Sequence, residues 1–390
     1  MKNIRIARLS TVRFFIVTQL RTQLEQIVAA GADLTVISNK DDELVNDDGA
    51  ADSARFIHVD FCREINVVKD MKALLNLIRL FKREKFDIVH SVTPKAGLLT
   101  AIAGRIAGVR TRVHTFTGQP WVTMSGPKRK ILIYCDRIIG FLNTCCYTDS
   151  RSQREFLIEN RIVRRSRIRV LGEGSLAGID LRRFDPEKYT ADGKMQFRTS
   201  LGIRPDSVVL LFVGRITRDK GIRELLNAFE TLIEQGADVH LLLVGPFEAD
   251  GRLLLDEMSE RLDQNRLVIV GFSAEPEKFM AISDIFCLPS HREGFGTVVI
   301  EAGAMGLPTV ASNIYGLSDA VVAGDTGLLT TLEDPASLAN ALASLVINPA
   351  QRRRMGESAR KRVVRHFDSE YMGELLIAEY ESLLGLKASN

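Results

Sequence analysis

Pro289-Ser290-His291-Arg292-Glu293-Gly294-Phe295-Gly296-Thr297-Val298-Val299-Ile300-Glu301-Ala302-Gly303-Ala304-Met305-Gly306 follows directly on the apolar run Asp284-Ile285-Phe286-Cys287-Leu288. The run reads as a buried strand, the Gly-Phe-Gly stretch as a turn, and the residues from Thr297 as an apolar helix. Glu301 is isolated among Val, Ile, Ala and Gly, and a buried carboxylate needs a partner. Helical side chains lean toward the helix N-terminus, so Glu301 points toward the same mouth as the glycines. There it can accept hydrogen bonds from both hydroxyls of a ribose, while Glu293 in the turn can hold hydroxyls of an attached sugar. The amides around Gly294, Phe295, Gly296 and Thr297 open a helix and can receive an anion. The alternative for Glu301 is a buried acid satisfied by neighbouring backbone.

Working outward, the same strand–turn–helix unit recurs. In the second half, strands are expected at 208–213, 239–244, 267–270, 284–288 and 308–311. Ile222, Leu225, Leu226, Phe229, Leu232 and Ile233 share one helical face, stopped by Gly236. The first strand runs into Gly214-Arg215 and then Lys220-Gly221 before that helix. An arginine fork, a mobile lysine charge and free helix-start amides together suit a diphosphate; each alone reads equally as surface charge. The second strand ends in Gly245-Pro246-Phe247-Glu248 and the third in Gly271-Phe272. These turns offer close backbone approach at Gly245 and Pro246, and an aromatic face at Phe272 for a nucleobase; alone, such turns are more often chain punctuation than a site.

In the first half, strands are expected at 3–8, 34–38, 86–90, 111–116 and 144–148. Helices are expected near 14–30, 69–85, 96–107, 128–143 and 152–160. Continuous apolar strands alternating with amphipathic helices imply parallel sheets covered on both faces. The polar stretch 186–206, with Pro186, Gly193, Gly202 and Pro205, reads as a linker. The expected architecture is therefore α/β, with two doubly wound Rossmann-like domains facing across a cleft. They are an N-terminal domain over 1–185 and a C-terminal domain over 207–368, and a last helix (369–390) could pack back on the first.

Composition fits this reading. The 390 residues, at about 150 per domain, allow two or three domains. A hydrophobic share of 45% with 26% charged residues excludes a disordered or collagen-like chain. Cys62, Cys135, Cys145, Cys146 and Cys287 are odd in number and lack CxxC spacing, which fits a reducing cytoplasm better than a disulfide framework or a zinc site. The first residues lack a signal-peptide core, and no stretch approaches 18 consecutive apolar residues, so a spanning helix is not expected. The formal net charge of +3 hides an asymmetry. Residues 1–190 hold 32 Lys/Arg against 21 Asp/Glu, whereas the remaining 200 hold 20 against 28. Two halves of opposite sign are expected to meet different partners.

The motif from Pro289 to Gly306 resembles the Glu-x7-Glu signature of retaining glycosyltransferases of the GT-B fold, specifically glycosyltransferase family 4. The likeness continues through Pro308–Ser312, Tyr315–Asp319 and Gly324–Leu328, and includes Val213-Gly214-Arg215 with Lys220-Gly221. It implies that Arg215 and Lys220 hold the donor diphosphate, Glu301 the ribose and Glu293 the donor sugar. Asp87–Ser91, Thr93–Gly97 and Val113–Trp121 resemble segments of family members that build bacterial surface polysaccharides. Many relatives carry a histidine just before the glycine of the Val113–Trp121 segment, where this chain has Thr117. Many also open with a glycine pair after the first strand, where this chain has Ser10-Thr11-Val12-Arg13. His90 and His114, in or ending strands, are expected to be structural.

The resemblance implies a nucleotide-diphosphate sugar donor, UDP-linked, and a lipid-linked or saccharide acceptor. The chain holds no Asp-x-Asp, so no metal or other cofactor is expected. The leaving group would be stabilised by Arg215, Lys220 and helix amides. Lys128-Arg129-Lys130 and the run Arg161, Arg164, Arg165, Arg167 and Arg169 make the first half a candidate for an anionic membrane surface, or a solvated basic face. A peripheral position at the inner face of the cell membrane is expected. Sparse aromatic interleaving and an acidic second half disfavour nucleic acid. Alternatives are a nucleotide-sugar epimerase of the same fold and a non-catalytic nucleotide-sugar-binding protein.

Overall fold

A computed structural model describes residues 1–40, 54–61, 66–258 and 260–386. Cys62 and the end of the expected last helix, 387–390, lie outside the described residues. The chain divides into two units, residues 1–178 with 367–390, and residues 179–366.

The first unit carries strands β1 (Arg5–Leu9), β2 (Asp33–Ser38), β3 (Arg55–His58), β4 (Ile88–Ser91), β5 (Thr111–Phe116), β6 (Cys145–Thr148) and β7 (Ile168–Val170). They form one parallel sheet in the order β3-β2-β1-β4-β5-β6-β7. The second unit carries β8 (Val208–Val213), β9 (Val239–Val244), β10 (Leu267–Gly271), β11 (Ile285–Leu288), β12 (Thr309–Ser312) and β13 (Gly327–Thr330). These are also parallel, in the order β10-β9-β8-β11-β12-β13. Each sheet therefore reverses its winding once, between β1 and β4 and between β8 and β11, and both units are doubly wound. The central strands are buried on both faces. On β1, Ile6 joins the core layer containing Leu34, Val36 and Leu376, while Ala7 and Leu9 join the opposite layer with Ile37, Val89 and Leu99.

Three edge strands, β3, β7 and β13, are additions to the sequence-based expectation, and the helix expected over 14–30 is split at Leu20 into Arg13–Gln19 and Arg21–Ala29. The stretch 186–206 is not a linker. It holds a 3-10 turn at Pro186–Lys188 and a helix at Ala191–Ser200, and it belongs wholly to the second unit. Thr190 caps that helix by accepting from the Gly193 amide. Arg198 fastens the helix to the sheet, with Nη2 donating to Asp284 Oδ2 at 2.8 Å and Nε to the Ile282 carbonyl at 2.9 Å. The crossing from the first unit to the second falls instead at Gly178–Ile179.

The helix Ser369–Leu384 lies in the first unit, packed on the helix Arg21–Ala29, with Met372, Leu376 and Tyr380 in the core. It supplies an acceptor to a fully buried cation. Arg8 Nη1 donates to Tyr380 Oη at 2.8 Å and lies 2.7 Å from His90 Nδ1, and Nη2 reaches Gln23 Oε1 at 3.3 Å. Burial, with Arg8 and His114 nearby, keeps His90 neutral well below the usual histidine range. Its Nε2–H then donates to Thr115 Oγ1 at 2.7 Å. His114, 2.9 Å from Ser91 Oγ through Nδ1, is pushed down to about 3 by burial. Both histidines are thus neutral members of the interior. No helix among the described residues is long and apolar enough to cross a membrane.

Asp149, just after β6, is buried, and among the described residues its Oδ1 has no hydrogen-bond partner. Burial alone pushes its carboxyl up to about 8. The folded pKa lies above the unfolded one, so ionisation costs stability, and that cost grows as pH rises from about 4 to about 8. Asp149→Asn should therefore raise the melting temperature strongly at pH 8 and little at pH 4. Equal shifts at both values would contradict the buried neutral acid.

Candidate functional site

In a doubly wound sheet the crevice opens beyond the carboxyl ends of the strands where the winding reverses. In the second unit that is the mouth of β8 and β11, and Lys220 and Glu293, from the loops after those two strands, meet there. After β8 the chain runs through Gly214 and Arg215 to a 3-10 turn at Arg218–Lys220, then Gly221 opens the helix Ile222–Glu234. After β11 it runs through Ser290–Gly296 into the helix Thr297–Ala304. Gly221 has φ +70°, and a Cβ there would overlap the Pro289 carbonyl oxygen. Only glycine lets the two loops touch at this point. Gly316, at φ +84°, lies close against the Gly294 and Glu293 carbonyls, though less tightly than Gly221 against Pro289, and backs the second loop.

Electrostatics complete the loops. Lys220 Nζ and Glu293 Oε1 form a half-buried ion pair, and Ser290 Oγ donates to the same oxygen at 3.0 Å. Arg215 pairs with Glu248 in a more exposed position. Each of the two cations expected at the phosphates is thus held by an acid of its own unit, Lys220 by the glutamate expected at the sugar. A second layer, which no sequence pattern announced, fixes the β11 loop. Arg292 donates to Asp219 Oδ2 at 2.9 Å, the His291 amide donates to the Asp219 carbonyl at 2.9 Å, and His291 Nε2 lies 3.2 Å from Glu224 Oε1. Glu224 accordingly raises the His291 pKa.

Glu301 sits one turn into the helix Thr297–Ala304. Among the described residues its carboxylate makes no hydrogen bond or ion pair, so the alternative of a buried acid satisfied by backbone does not apply. Desolvation pushes it up to about 7, opposed by the charge of Arg183 and reinforced by Glu277. Arg183 is itself clamped, Nε to Glu277 Oε1 at 3.0 Å and Nη2 to Oε2 at 2.8 Å. Sequence reasoning missed this pair, because Arg183 and Glu277 are 94 residues apart. The helix itself starts without a side-chain cap, leaving first-turn amides from Thr297 for a ligand.

Phe272, beyond β10, is 58% exposed and offers the aromatic face. Phe295 differs: its side chain is buried, so only its backbone can face a ligand. Gly245 continues the ladder, its amide donating to the Gly271 carbonyl at 2.7 Å, and Pro246 is exposed beside it. In the first unit, Thr117 Oγ1 donates to the Val92 carbonyl at 3.4 Å. Among the described residues no group of three or more His, Cys, Asp or Glu is placed to hold a metal ion.

Comparison with known proteins agrees with this fold. Residues 194–362 match the family model described as Glycosyl transferases group 1, and residues 16–174 match the Glycosyl transferase 4-like domain. The capsular polysaccharide biosynthesis glycosyltransferase CapM of Staphylococcus aureus is 32% identical over 385 residues, covering 98% of each chain. The UDP-Gal:alpha-D-GlcNAc-diphosphoundecaprenol alpha-1,3-galactosyltransferase of Escherichia coli is 32% identical over 328 residues, 81% of each. Among solved structures, the sucrose-phosphate synthase of Thermosynechococcus elongatus superposes with a TM-score of 0.81 at 22% identity, over 98% of this chain and 100% of that one. Anabaena HepE in complex with UDP superposes with a TM-score of 0.79 at 19% identity, over 98% and 100%. The chain is a glycosyltransferase with the GT-B fold and belongs to glycosyltransferase family 4.

Proposed function

We propose that the chain moves a sugar, with retention of anomeric configuration and without a metal, from a UDP-linked donor to a lipid-diphosphate-linked saccharide. The process served is bacterial surface-polysaccharide assembly, on the cytoplasmic side of the membrane and against its anionic surface. The observation that carries this reading is the Lys220–Glu293 pair across the β8/β11 crevice, with Arg215 in the loop after β8 and Glu301 in the helix after β11 beside it in support. The names of the CapM and diphosphoundecaprenol galactosyltransferase relatives support the acceptor class, and the UDP complex of HepE supports the nucleotide.

In this reading Glu301 accepts hydrogen bonds from the ribose hydroxyls, and Phe272 lies against the base. Gly245 and Pro246 border the nucleotide, and the amides from Gly294 to Thr297 meet the phosphate. Arg215 and Lys220 turn from their carboxylates to the diphosphate. Glu293, oriented by Ser290, takes hydroxyls of the donor sugar. The bond from the anomeric carbon to the phosphate oxygen breaks as the acceptor oxygen attacks from the same face. The acceptor proton passes to the departing phosphate oxygen. The two cations stabilise the charge that develops there, so the protein needs no nucleophile of its own.

Three outcomes are expected. Incubated with UDP- and GDP-sugars, the protein should release UDP only with a polyprenyl-diphosphate-linked saccharide, equally with or without chelator, and the product should keep the donor's anomeric configuration. Release without acceptor would identify an epimerase, and tight binding without release a non-catalytic protein. Calorimetry should show UDP affinity rising with pH through about 7, because only ionised Glu301 accepts both hydroxyls. Glu301→Gln should flatten that profile and weaken binding by about tenfold or more, as expected for a lost charge-assisted bond. Glu293→Gln should leave UDP affinity within a few fold while lowering turnover by about a hundredfold or more, and an equal loss in both would remove Glu293 from the sugar.

A further inference from the structure

A cavity of about 460 Å³ opens on the first unit between the end of the helix Gly126–Leu142 and the segment leading into β7. That helix runs from β5 to β6, so its last turn lies at the amino ends of the strands, away from the carboxyl edge. Arg137, Arg161, Arg164, Arg165 and Arg167 line the cavity together with Phe141. Two of these arginines serve the fold by covering helix-end carbonyls: Arg137 Nη2 donates to Asn160 O at 3.3 Å and Arg167 Nη1 to Phe141 O at 3.1 Å. Arg165 pairs with Glu155. Arg161 and Arg164 have no side-chain partner among the described residues. Glu155, already shared by Arg154 and Arg165, and exposed Glu159 are the acids of the facing helix, so cations remain in excess. Behind the cavity Arg112 is held below the usual guanidinium range by burial and by Arg105 and Arg167, a sign of the same crowding.

The cavity ends a longer feature. Along the outer face of the 17-residue helix, about 25 Å long, Ile131 is 54% exposed, Tyr134 65% and Phe141 69%. Lys128, Lys130 and Arg137 are exposed among them, and the helix's one acid, Asp136, is buried against Trp121. The helix thus presents a stripe of apolar and aromatic side chains laced with cations and with no exposed carboxylate of its own. This is the pattern of a helix lying in a bilayer interface.

We propose that the outer face of the helix Gly126–Leu142 is a docking surface for an anionic phospholipid bilayer, with the arginine cavity seating a lipid headgroup phosphate. The proposal rests on the reading that the acceptor is lipid-linked, and it gives the basic half a defined surface. Lys128-Arg129-Lys130 and Arg161–Arg167, separate clusters in sequence, are the two ends of one stripe. Ile131 and Phe141 sink among the acyl chains while the guanidinium groups meet phosphate, a combination that a nucleic-acid surface does not require.

Vesicle co-sedimentation of the full chain tests this, using phosphatidylcholine with and without phosphatidylglycerol at low and high salt. Wild type should bind only the anionic vesicles and lose affinity with salt. Arg161→Gln/Arg164→Gln, chosen because neither side chain holds the fold, should bind about 30-fold more weakly, as about 1 kcal/mol per cation implies. Tyr134→Ser/Phe141→Ser should bind more weakly at both salt concentrations, with an unchanged melting temperature. Wild-type affinity in the arginine variant, equal binding to neutral vesicles, or displacement of vesicles by single-stranded RNA would each overturn the proposal. The arginine variant should transfer sugar to detergent-dispersed acceptor at the wild-type rate, so a failure of docking is separable from a failure of the transferase reading.

Discussion

A parallel strand cannot reach its neighbour through a tight turn, and this constraint shapes both units. Every connection must cross a face of the sheet, almost always in the right-handed sense. Winding outward in both directions from a central strand then leaves one place per sheet where adjacent loops part to opposite faces. In the second unit this lies between β8 and β11. The separation of the loops opens the crevice, and the short distance between the strands beneath it brings Lys220 and Glu293 together across 73 residues of chain. The first unit obeys the same rule between β1 and β4, but its interior there is tied by a buried arginine. Among the described residues Arg8 has no carboxylate partner, and it relies on Tyr380, His90 and Gln23. A cation held only by neutral acceptors is costly to bury, so the terminal helix that brings Tyr380 is part of the first sheet's polar interior as well as its cover.

How much of this was legible in the chain follows from burial. Central strands are covered on both faces and so appear as unbroken apolar runs, as in Val208–Val213 and Val239–Val244. Edge strands need not be, and β3, β7 and β13 escaped notice, whereas the edge strand β10 kept an unbroken apolar run and did not. In β7 the alternation Ile168-Arg169-Val170 is the period-two signature of a half-solvated edge, yet within Arg161–Arg169 it reads as a basic cluster. The polar stretch 186–206 looked like a linker because its helix buries no residue fully, and Arg198–Asp284 rather than an apolar stripe secures it. The first-rank site residues were visible because each breaks a local pattern, as Glu301 does within an apolar helix. Their partners were not, because Arg183 with Glu277 and Arg292 with Asp219 are ordinary surface-like residues until the fold joins them.

The acidic character of the second unit bears on how it holds an anion. With acids in excess, Arg215 and Lys220 are neutralised by Glu248 and Glu293 before any ligand arrives. The two pairs are unequal. An exposed pair such as Arg215–Glu248 contributes about 0–1 kcal/mol and parts readily, whereas Lys220–Glu293, half-buried and reinforced by Ser290, resists separation. A bare phosphate that draws Lys220 away strands Glu293 in a poorly solvated loop. A sugar diphosphate brings anionic oxygens for the lysine and hydroxyl donors for the glutamate, so both members of the broken pair are satisfied together. On the proposed reading, the internal ion pair favours the intact nucleotide sugar over phosphate alone. On that reading an acidic unit selects its anionic donor because the donor's neutral part compensates the acid that its charged part displaces.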